Sequence, residues 1–336
     1  MTKKIFITGV AGFLGSHLAD KFLNLGYEVS GCDNLIGGYD DNVPEGVIFH
    51  KVECLDLEKL TKITEGVDIV YHTACTAYEG LSVFSPSLIV SNTTQITTNI
   101  MTASIINNVQ KFVHCSSMAR YGTQDITPFT EDMVCKPQDP YGIAKYSAEL
   151  LLKNLAEVHG IDLVISVPHN IVGPRQKYDD PFRNVASIMI NLMMQKRQPV
   201  IYGDGTQVRC FSSIHDDVDC LVEFATNEKA IGETFNIGPD ESEITINELA
   251  QIIAKQLSFN LDPIYMPGRP QEVKHATCSA DKIRDFFGYE TKYTTEEIIA
   301  EMIDYIDQRG IRKFDYHLPI EIISDKTPET WSKKLF

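Results

Sequence analysis

Short apolar runs alternate with amphipathic segments along the first half of the chain. The runs are rich in Ile, Val and Phe, which favours strands, and the segments between them repeat apolar residues at three- and four-residue spacing, which predicts helices such as 13–25 and 140–158. Apolar strands joined by helices are typical of a parallel sheet covered on both faces, so we expect a doubly wound α/β domain. Its predicted strands cover residues 4–9, 28–33, 47–52, 68–74, 111–117 and 162–167.

The pattern changes after Pro174. A polar, turn-rich stretch, GPRQKYDDP, precedes a mixture of helices and short strands that we expect to form a smaller C-terminal α/β lobe. The predicted division is residues 1–175 for the first domain and 176–336 for the lobe, with the chain returning to the first domain around 211–240. The predicted elements of the lobe are a helix at 182–195, a strand at VIYG, a tight turn at GDG, and helices at 216–227, 246–257 and 294–308.

Composition excludes several classes of protein. The 336 residues include 30 basic and 46 acidic side chains, a net charge of −16, which argues against a nucleic-acid surface because phosphate binding needs a basic face. The eight cysteines form no CxxC pair and mostly lie in apolar segments, so we interpret them as reduced residues of a cytoplasmic protein. The histidines show no spacing typical of a metal site. No apolar run approaches the ~20 residues of a membrane-spanning helix, and no signal peptide is visible.

A glycine-rich loop follows the first predicted strand. In FITGVAGFLGSHLAD, Gly9, Gly12 and Gly15 recur every three residues between a strand and a helix. A dinucleotide site needs glycines here, because the pyrophosphate approaches the backbone closely and lies at the helix N-terminus. The predicted cofactor site includes the intervening Phe13 and Leu14.

An acidic residue ends the second predicted strand. Asp33 is placed to accept hydrogen bonds from both hydroxyls of an adenosine ribose and would repel a 2′-phosphate, so NAD is favoured over NADP. The adjacent Asn34 belongs to the same predicted site. The alternative is an aspartate that only opens a turn before Asn34.

Three residues indicate proton-transfer chemistry. In PYGIAKYSAE, Tyr141 and Lys145 are four residues apart on a predicted helix and therefore share one face. A phenol is a poor base at its usual pKa of ~10, but a neighbouring ammonium and an oxidised nicotinamide lower that pKa. Ser117, at the end of the fifth predicted strand, would hold the substrate oxygen. A lone YxxxK pair is more often helix surface, whereas its combination with Ser117 and the glycine loop is specific.

These motifs resemble the extended short-chain dehydrogenase/reductases, in particular the NAD-dependent nucleotide-sugar epimerases and dehydratases, which have a Rossmann-type fold. The resemblance extends over nearly the whole chain and implies a bound NAD, a nucleotide-sugar substrate, and catalysis by Ser117, Tyr141 and Lys145. The motifs that carry it are TGVAGFLGSHL, CDNL, YHTAC, SPSLIVSNTTQITTN, SSMARYG, PYGIAK, PHNIVGPRQ, YGDGTQVRCF, NIGP and ELA.

The resemblance also implies further binding residues. Glu53, with Cys54 beside it, falls near the adenine, and Asn92 falls near the cofactor. A guanidinium offers paired donors to a diphosphate, although each of the two arginines concerned could instead be a surface residue. Two positions depart from the family's pattern, Gln271 for glycine and His169 for an aromatic or apolar residue. The implied nucleotide-diphosphate contacts are Asn170, Asn184, Arg209 and Arg269.

The two residues after Ser117 distinguish reactions within the family that this chain resembles. Its 4,6-dehydratases have an Asp-Glu pair there, and its decarboxylases keep the second acid. Met118 and Ala119 cannot transfer a proton. The resemblance therefore implies 4-epimerisation of a UDP-hexose or UDP-N-acetylhexosamine, through a transient 4-keto intermediate with retained NAD. The alternatives are a nucleotide-sugar reductase or C3/C5 epimerase of the same fold, and a non-catalytic NAD-binding protein.

Three further expectations concern Arg120, Ala276 and oligomeric state. Arg120 is either a counter-ion for a substrate carboxylate or part of a structural salt bridge, and we favour the salt bridge. Ala276 falls where some relatives place a bulky tyrosine, so an N-acetyl group would fit beside it. The resemblance implies a homodimer that pairs helices at roughly 84–108 and 140–158 in a four-helix bundle, in a cytoplasmic isomerase of polysaccharide biosynthesis.

Overall fold

A seven-stranded parallel sheet forms the centre of the molecule. The computed structural model describes residues 3–336. The strand order is β11-β6-β5-β4-β1-β2-β3, and every neighbouring pair is parallel. The strands of the described residues are β1 Lys4–Thr8, β2 Glu28–Asp33, β3 Ile48–Lys51, β4 Ile69–His72, β5 Lys111–Cys115, β6 Asp162–Pro168, β7 Ile171–Val172, β8 Val200–Tyr202, β9 Val208–Cys210, β10 Ser212–Ser213, β11 Thr234–Ile237, β12 Glu243–Thr245, β13 Ile264–Met266 and β14 His275–Ala276.

The doubly wound α/β prediction is confirmed, because helices cover both faces of this sheet. On β1, Ile5 and Ile7 contribute to one apolar cluster, and Phe6 contributes to the cluster on the opposite face. The helices are α1 Phe13–Asn24, α2 Leu57–Ile63, α3 Glu79–Ser82, α4 Pro86–Val90, α5 Ile96–Ile106, α6 Pro140–His159, α7 Val185–Met194, α8 Ile214–Glu223, α9 Ile246–Gln256, α10 Asp281–Phe287, α11 Thr295–Arg309 and α12 Glu329–Ser332.

The second half of the chain contributes both to the sheet and to a smaller lobe. Strand β11 pairs with β6, so the chain returns to the central sheet at Thr234–Ile237. In the lobe, β9 pairs antiparallel with β12 and parallel with β14, while β8 pairs with β13. Two helices begin away from the predicted positions because capping side chains define their first turns: Asn184 accepts a hydrogen bond from Ala186 N, and Ser213 accepts one from His215 N.

The residues after α11 form a C-terminal tail, residues 311–336, that the sequence analysis did not predict. The tail contacts the first domain where Ile322 N donates to Phe84 O, at 2.8 Å. It contacts the lobe side where Trp331 Nε1 donates to Pro181 O, at 3.2 Å. The tail therefore links the two parts of the chain. Within residues 3–336, no helix has the length and apolar character that crossing a membrane requires.

Candidate active site

One large cavity of about 460 Å³ lies at the carboxyl ends of the central strands. This edge of a doubly wound sheet is where ligands usually bind. Every residue that the sequence analysis assigned to the site lines the cavity, although the structure does not by itself test their roles. These residues are Gly9, Gly12, Phe13, Leu14, Gly15, Asp33, Asn34, Glu53, Cys54, Asn92, Ser117, Tyr141, Lys145, Asn170, Asn184, Arg209, Arg269 and Ala276.

The glycine loop brings β1 and α1 together in a tight turn. Gly9 has a φ of +74°, which suits glycine, and its N–H donates to Cys32 O at 2.7 Å. Gly12 N donates to Gly9 O at 2.9 Å and precedes the first turn of α1. A Cβ on residue 15 would lie only 2.2 Å from Gly9 O, so the helix packs against the loop without space for a side chain. The free amides of α1 therefore lie at the cavity wall, which suits a pyrophosphate.

Asp33 closes the other side of this loop. Its carboxylate accepts hydrogen bonds from Ala11 N at 3.0 Å and Leu35 N at 2.7 Å. Burial raises the pKa of Asp33, and the backbone amides around it oppose that shift. A carboxylate has more acceptor sites than these two amides use, so it can still accept from ribose hydroxyls. The loop, the helix N-terminus and this acid together fit NAD.

Ser117, Tyr141 and Lys145 come together across the ends of β5 and α6. Asp139 caps α6 by accepting from Tyr141 N at 2.9 Å and from Gly142 N at 3.0 Å, which fixes the first turn and the tyrosine on it. The phenol lies beside the side chains of Ser117 and Cys75. Lys145 Nζ donates to Cys115 O at 2.8 Å and lies 6.0 Å from the centre of the tyrosine ring. The predicted constellation is therefore assembled inside the cavity.

The electrostatics of Tyr141 differ from the expectation that Lys145 lowers its pKa. In the folded protein, burial raises the pKa of Tyr141 well above its usual value, the neighbouring Cys75 side chain adds to the shift, and the hydrogen bond with Ser117 opposes it. The physical reason is that burial dominates, while Lys145 directs its ammonium at the carbonyl of Cys115. The expectation also included the positive charge of an oxidised nicotinamide as a cause of a lower pKa, and only bound NAD would supply that charge.

The predicted diphosphate contacts line the lobe side of the cavity. Arg209 lies opposite Ala276 in the pairing of β9 with β14, so both residues lie at one point on the wall. Arg209 Nη2 donates to Val273 O at 2.7 Å, and Arg269 forms an ion pair with Glu272 at 3.0 Å. Two asparagines complete this side: Asn184 caps α7, and Asn170 Nδ2 donates to Cys210 O at 3.0 Å.

Two residues that the sequence analysis singled out lie outside the cavity lining. Arg120 Nη1 lies 3.0 Å from Glu149 Oε2, and the two side chains are only 5% and 0% exposed. The structural salt bridge is therefore confirmed, and the alternative of a counter-ion for a substrate carboxylate is wrong. His169 is fully buried, its Nε2 forms a hydrogen bond with Pro239 O at 2.9 Å, and it packs against Gly238. These contacts place His169 in the packed interior of the protein.

Sequence reasoning missed several cavity residues. Glu79 and Arg183 both line the cavity, and neither belongs to a motif that the analysis quoted as functional. Arg183 directly precedes Asn184, which was its only available signal. Its guanidinium lies 5.3 Å from the centre of the Tyr78 ring. The tail adds Trp331 and Phe336 to the cavity wall, a contribution that no local pattern indicates.

Comparison with known proteins identifies the family. The profile of the NAD dependent epimerase/dehydratase family matches residues 5–238. A putative UDP-glucose 4-epimerase of Methanocaldococcus jannaschii is 31% identical over 306 residues, which cover 90% of this chain and 98% of that protein. The UDP-glucose 4-epimerase of Thermotoga maritima, solved with UDP-glucose, has a TM-score of 0.85 at 29% identity and covers 91% of this chain and 99% of its own.

A third similar structure contains the cofactor. The UDP-glucuronic acid 4-epimerase of Bacillus cereus, solved with UDP-glucuronic acid and NAD, has a TM-score of 0.85 at 28% identity and covers 91% of this chain and all of its own. The sequence match, the Rossmann-type fold, and the glycine loop and Asp33 at one end of the cavity agree with one another. This chain belongs to the NAD-dependent epimerase/dehydratase family.

Proposed function

We propose that this protein is a UDP-sugar 4-epimerase that retains its NAD. The observation that carries the proposal is that one cavity contains a dinucleotide loop, Ser117, Tyr141 and Lys145, while the residues after Ser117 are Met118 and Ala119. Neither of the last two can transfer a proton, so an elimination lacks its acid and base. The names of the relatives in Methanocaldococcus jannaschii and Thermotoga maritima support the same reaction.

The side chains of this protein supply binding and proton transfer. NAD, when bound, supplies the reversible removal of hydrogen together with its electron pair from a sugar carbon. Tyr141 takes the proton of the 4-hydroxyl and later returns it, and the Ser117 hydroxyl holds the same oxygen. Lys145 is held by Cys115 O with its ammonium 6.0 Å from the centre of the Tyr141 ring, and it would bind the nicotinamide ribose of NAD. Between the two transfers the 4-keto sugar turns over, so that its other face is reduced.

The fine substrate assignment rests on two parts of the cavity wall. Arg209 and Arg269 line the cavity, and their guanidinium groups would supply the fixed cationic donors that a diphosphate needs. Ala276 is small and faces the cavity beside Arg209, which supports room for an N-acetyl group. We therefore include UDP-hexoses and UDP-N-acetylhexosamines, and we place the enzyme in cytoplasmic polysaccharide biosynthesis, where such sugars are consumed.

We also propose a homodimer formed through α4, α5 and α6. These helices present apolar side chains to solvent at helical spacing: Ile143 and Leu150 on α6 are 52% and 51% exposed, and Val158 lies on the same helix, two further turns along. Val90 and Ile106 are exposed on α4 and α5. Two copies that pair these helices would bury the exposed apolar side chains of each copy in one helical bundle.

Turnover without added cofactor tests the proposed function. The purified protein, incubated with UDP-glucose or UDP-N-acetylglucosamine alone, should form the C4 epimer, and denaturation should release NAD. Tyr141→Phe should fold and retain NAD but lose turnover, because the ring remains while the proton carrier is removed. A stoichiometric requirement for NADH or NADPH would indicate a reductase instead, and full activity in Tyr141→Phe would contradict the mechanism.

A further inference from the structure

Glu79 is a carboxylate in the cavity that the mechanism above does not use. It opens α3 and lines the cavity, and within residues 3–336 its carboxylate has no hydrogen-bond or ion-pair partner. Its side chain is accessible to water from the cavity, although it lies deep among protein groups. A carboxylate that faces a ligand site without a protein partner is available to a ligand.

The position of Glu79 is that of a sugar contact. Glu79 is close enough to Tyr141 for its charge to raise the pKa of the phenol, and it is close enough to Arg209 and Arg269 for their charges to lower its own pKa. The next residue shows how close the chain comes to one arginine here, since a Cβ on Gly80 would lie only 3.1 Å from Arg269 Nη1. When the diphosphate of a nucleotide-sugar binds the two arginines and its reacting hydroxyl binds the Tyr141 phenol, the sugar ring lies between the arginines and the phenol. Glu79 therefore lies alongside the ring.

The surroundings of Glu79 are acidic once a diphosphate is bound. Asp139 and Glu272 also face it, and a diphosphate would neutralise the two arginines. Two other cations line the cavity: Lys145 is held by Cys115 O, and the guanidinium of Arg183 lies 5.3 Å from the centre of the Tyr78 ring, where the charge of Asp180 offsets its own.

We propose that Glu79 selects the sugar by charge, accepting hydrogen bonds from the hydroxyls of a neutral hexose or N-acetylhexosamine and repelling a sugar carboxylate. This inference rests on the proposed UDP-sugar 4-epimerase function and narrows its substrate class, since uronic acids become poor substrates. Like charges brought together in a binding site are strongly unfavourable, so we expect about a hundredfold preference for the neutral sugar.

The preference should depend on pH. Burial, followed by the charge of Asp139, raises the pKa of Glu79 to about 7, while Arg209 and Arg269 oppose the shift and Glu272 adds to it. Glu79 is therefore ionised above neutral pH and neutral below it. A uronic acid carboxyl stays ionised throughout the range from pH 6 to pH 8. The repulsion, and with it the preference, should decrease as the pH falls from 8 to 6.

The test compares UDP-glucose with UDP-glucuronic acid in the wild type, Glu79→Gln and Glu79→Asp. We expect the ratio of their kcat/KM values to favour UDP-glucose in the wild type and to narrow about tenfold or more in Glu79→Gln, as like-charge repulsion is removed. Glu79→Asp keeps the charge and should keep the preference. The ratio in Glu79→Gln should also be independent of pH between 6 and 8.

Dissociation constants of both UDP-sugars, measured by calorimetry on the NAD-loaded protein, separate this inference from the proposed function. Failure to epimerise either sugar would overturn the proposed function, while the ratio of dissociation constants would still decide the charge selection. Equal affinity of the wild type for both sugars, or an unchanged ratio in a folded Glu79→Gln protein, would overturn the inference. Should Glu79→Gln not fold, the pH dependence of the wild type and the Glu79→Asp ratio decide it.

Discussion

Replacing Arg120 with methionine should destabilise the protein without removing any group from the cavity. Arg120 and Glu149 form a nearly fully buried ion pair at 3.0 Å. Removing one partner of such a pair leaves an uncompensated charge and costs about 3–5 kcal/mol. Glu149 retains a hydrogen bond from the Ser116 hydroxyl, and burial already raises its pKa, so it can become neutral in the variant. We therefore expect a loss near the lower end, about 3 kcal/mol in the free energy of unfolding.

Thermal denaturation followed by circular dichroism measures this effect. A loss of about 3 kcal/mol corresponds to a decrease of roughly 4 °C in the melting temperature of a chain of this size. The decrease should be smaller at pH 5 than at pH 8, because a protonated Glu149 needs no counter-ion. The KM for UDP-glucose should change little, since Arg120 does not line the cavity.

The double variant Arg120→Met, Glu149→Met is the matched control. It removes both charges, so most of the lost stability should return, apart from the hydrogen bond that Ser116 loses. Loss of epimerase activity in Arg120→Met with an unchanged melting temperature would refute the reasoning. That result would place Arg120 in the catalytic apparatus and not in a structural ion pair.

Three other perturbations test separate parts of the account. Gly15→Ala places a Cβ 2.2 Å from Gly9 O and should release most of the bound NAD, measured in the supernatant of the denatured protein, whereas Gly268→Ala, which meets open space, should retain it. Leu150→Glu should convert the dimer to a monomer in light scattering after size exclusion, while Leu25→Glu, at another exposed leucine, should not; a dimer that survives Leu150→Glu would contradict the interface. Glu79→Gln should stabilise the protein increasingly from pH 5 to pH 8. The pKa of Glu79 is raised to about 7 in the folded state, so ionisation of this carboxyl lowers the stability of the wild type as the pH rises above the pKa of the unfolded state. A difference in melting temperature that does not depend on pH would contradict that pKa.

Local patterns were sufficient for the sheet and for the cofactor end of the cavity. The strand–glycine–helix segment around Gly9 and Gly12 is contiguous, so its geometry follows from short-range steric rules. Tyr141 and Lys145 were predictable for the same reason, because one helix turn fixes their relation. In each case the structural information lies within about ten residues of sequence.

The rest of the site depends on contacts between distant segments. Glu79 belongs to a four-residue helix with no periodic signal, and its environment comes from Asp139, Arg209 and Arg269. The raised pKa of Tyr141 is a property of burial, which the YxxxK spacing does not report. The tail is a further case, since Trp331 reaches the cavity only after the chain has crossed both lobes.

The most direct test of the central claim is proton NMR of UDP-glucose incubated in D₂O with the purified protein and no added cofactor. If the hydrogen at C4 is removed and returned inside the closed site, signals of the C4 epimer should appear with a full proton at C4 and with no deuterium at C3 or C5. Tyr141→Phe should leave the spectrum unchanged over the same time. Deuterium at C3 or C5 of the product, or no epimer from a wild-type protein that contains NAD and binds UDP-glucose, would contradict the account.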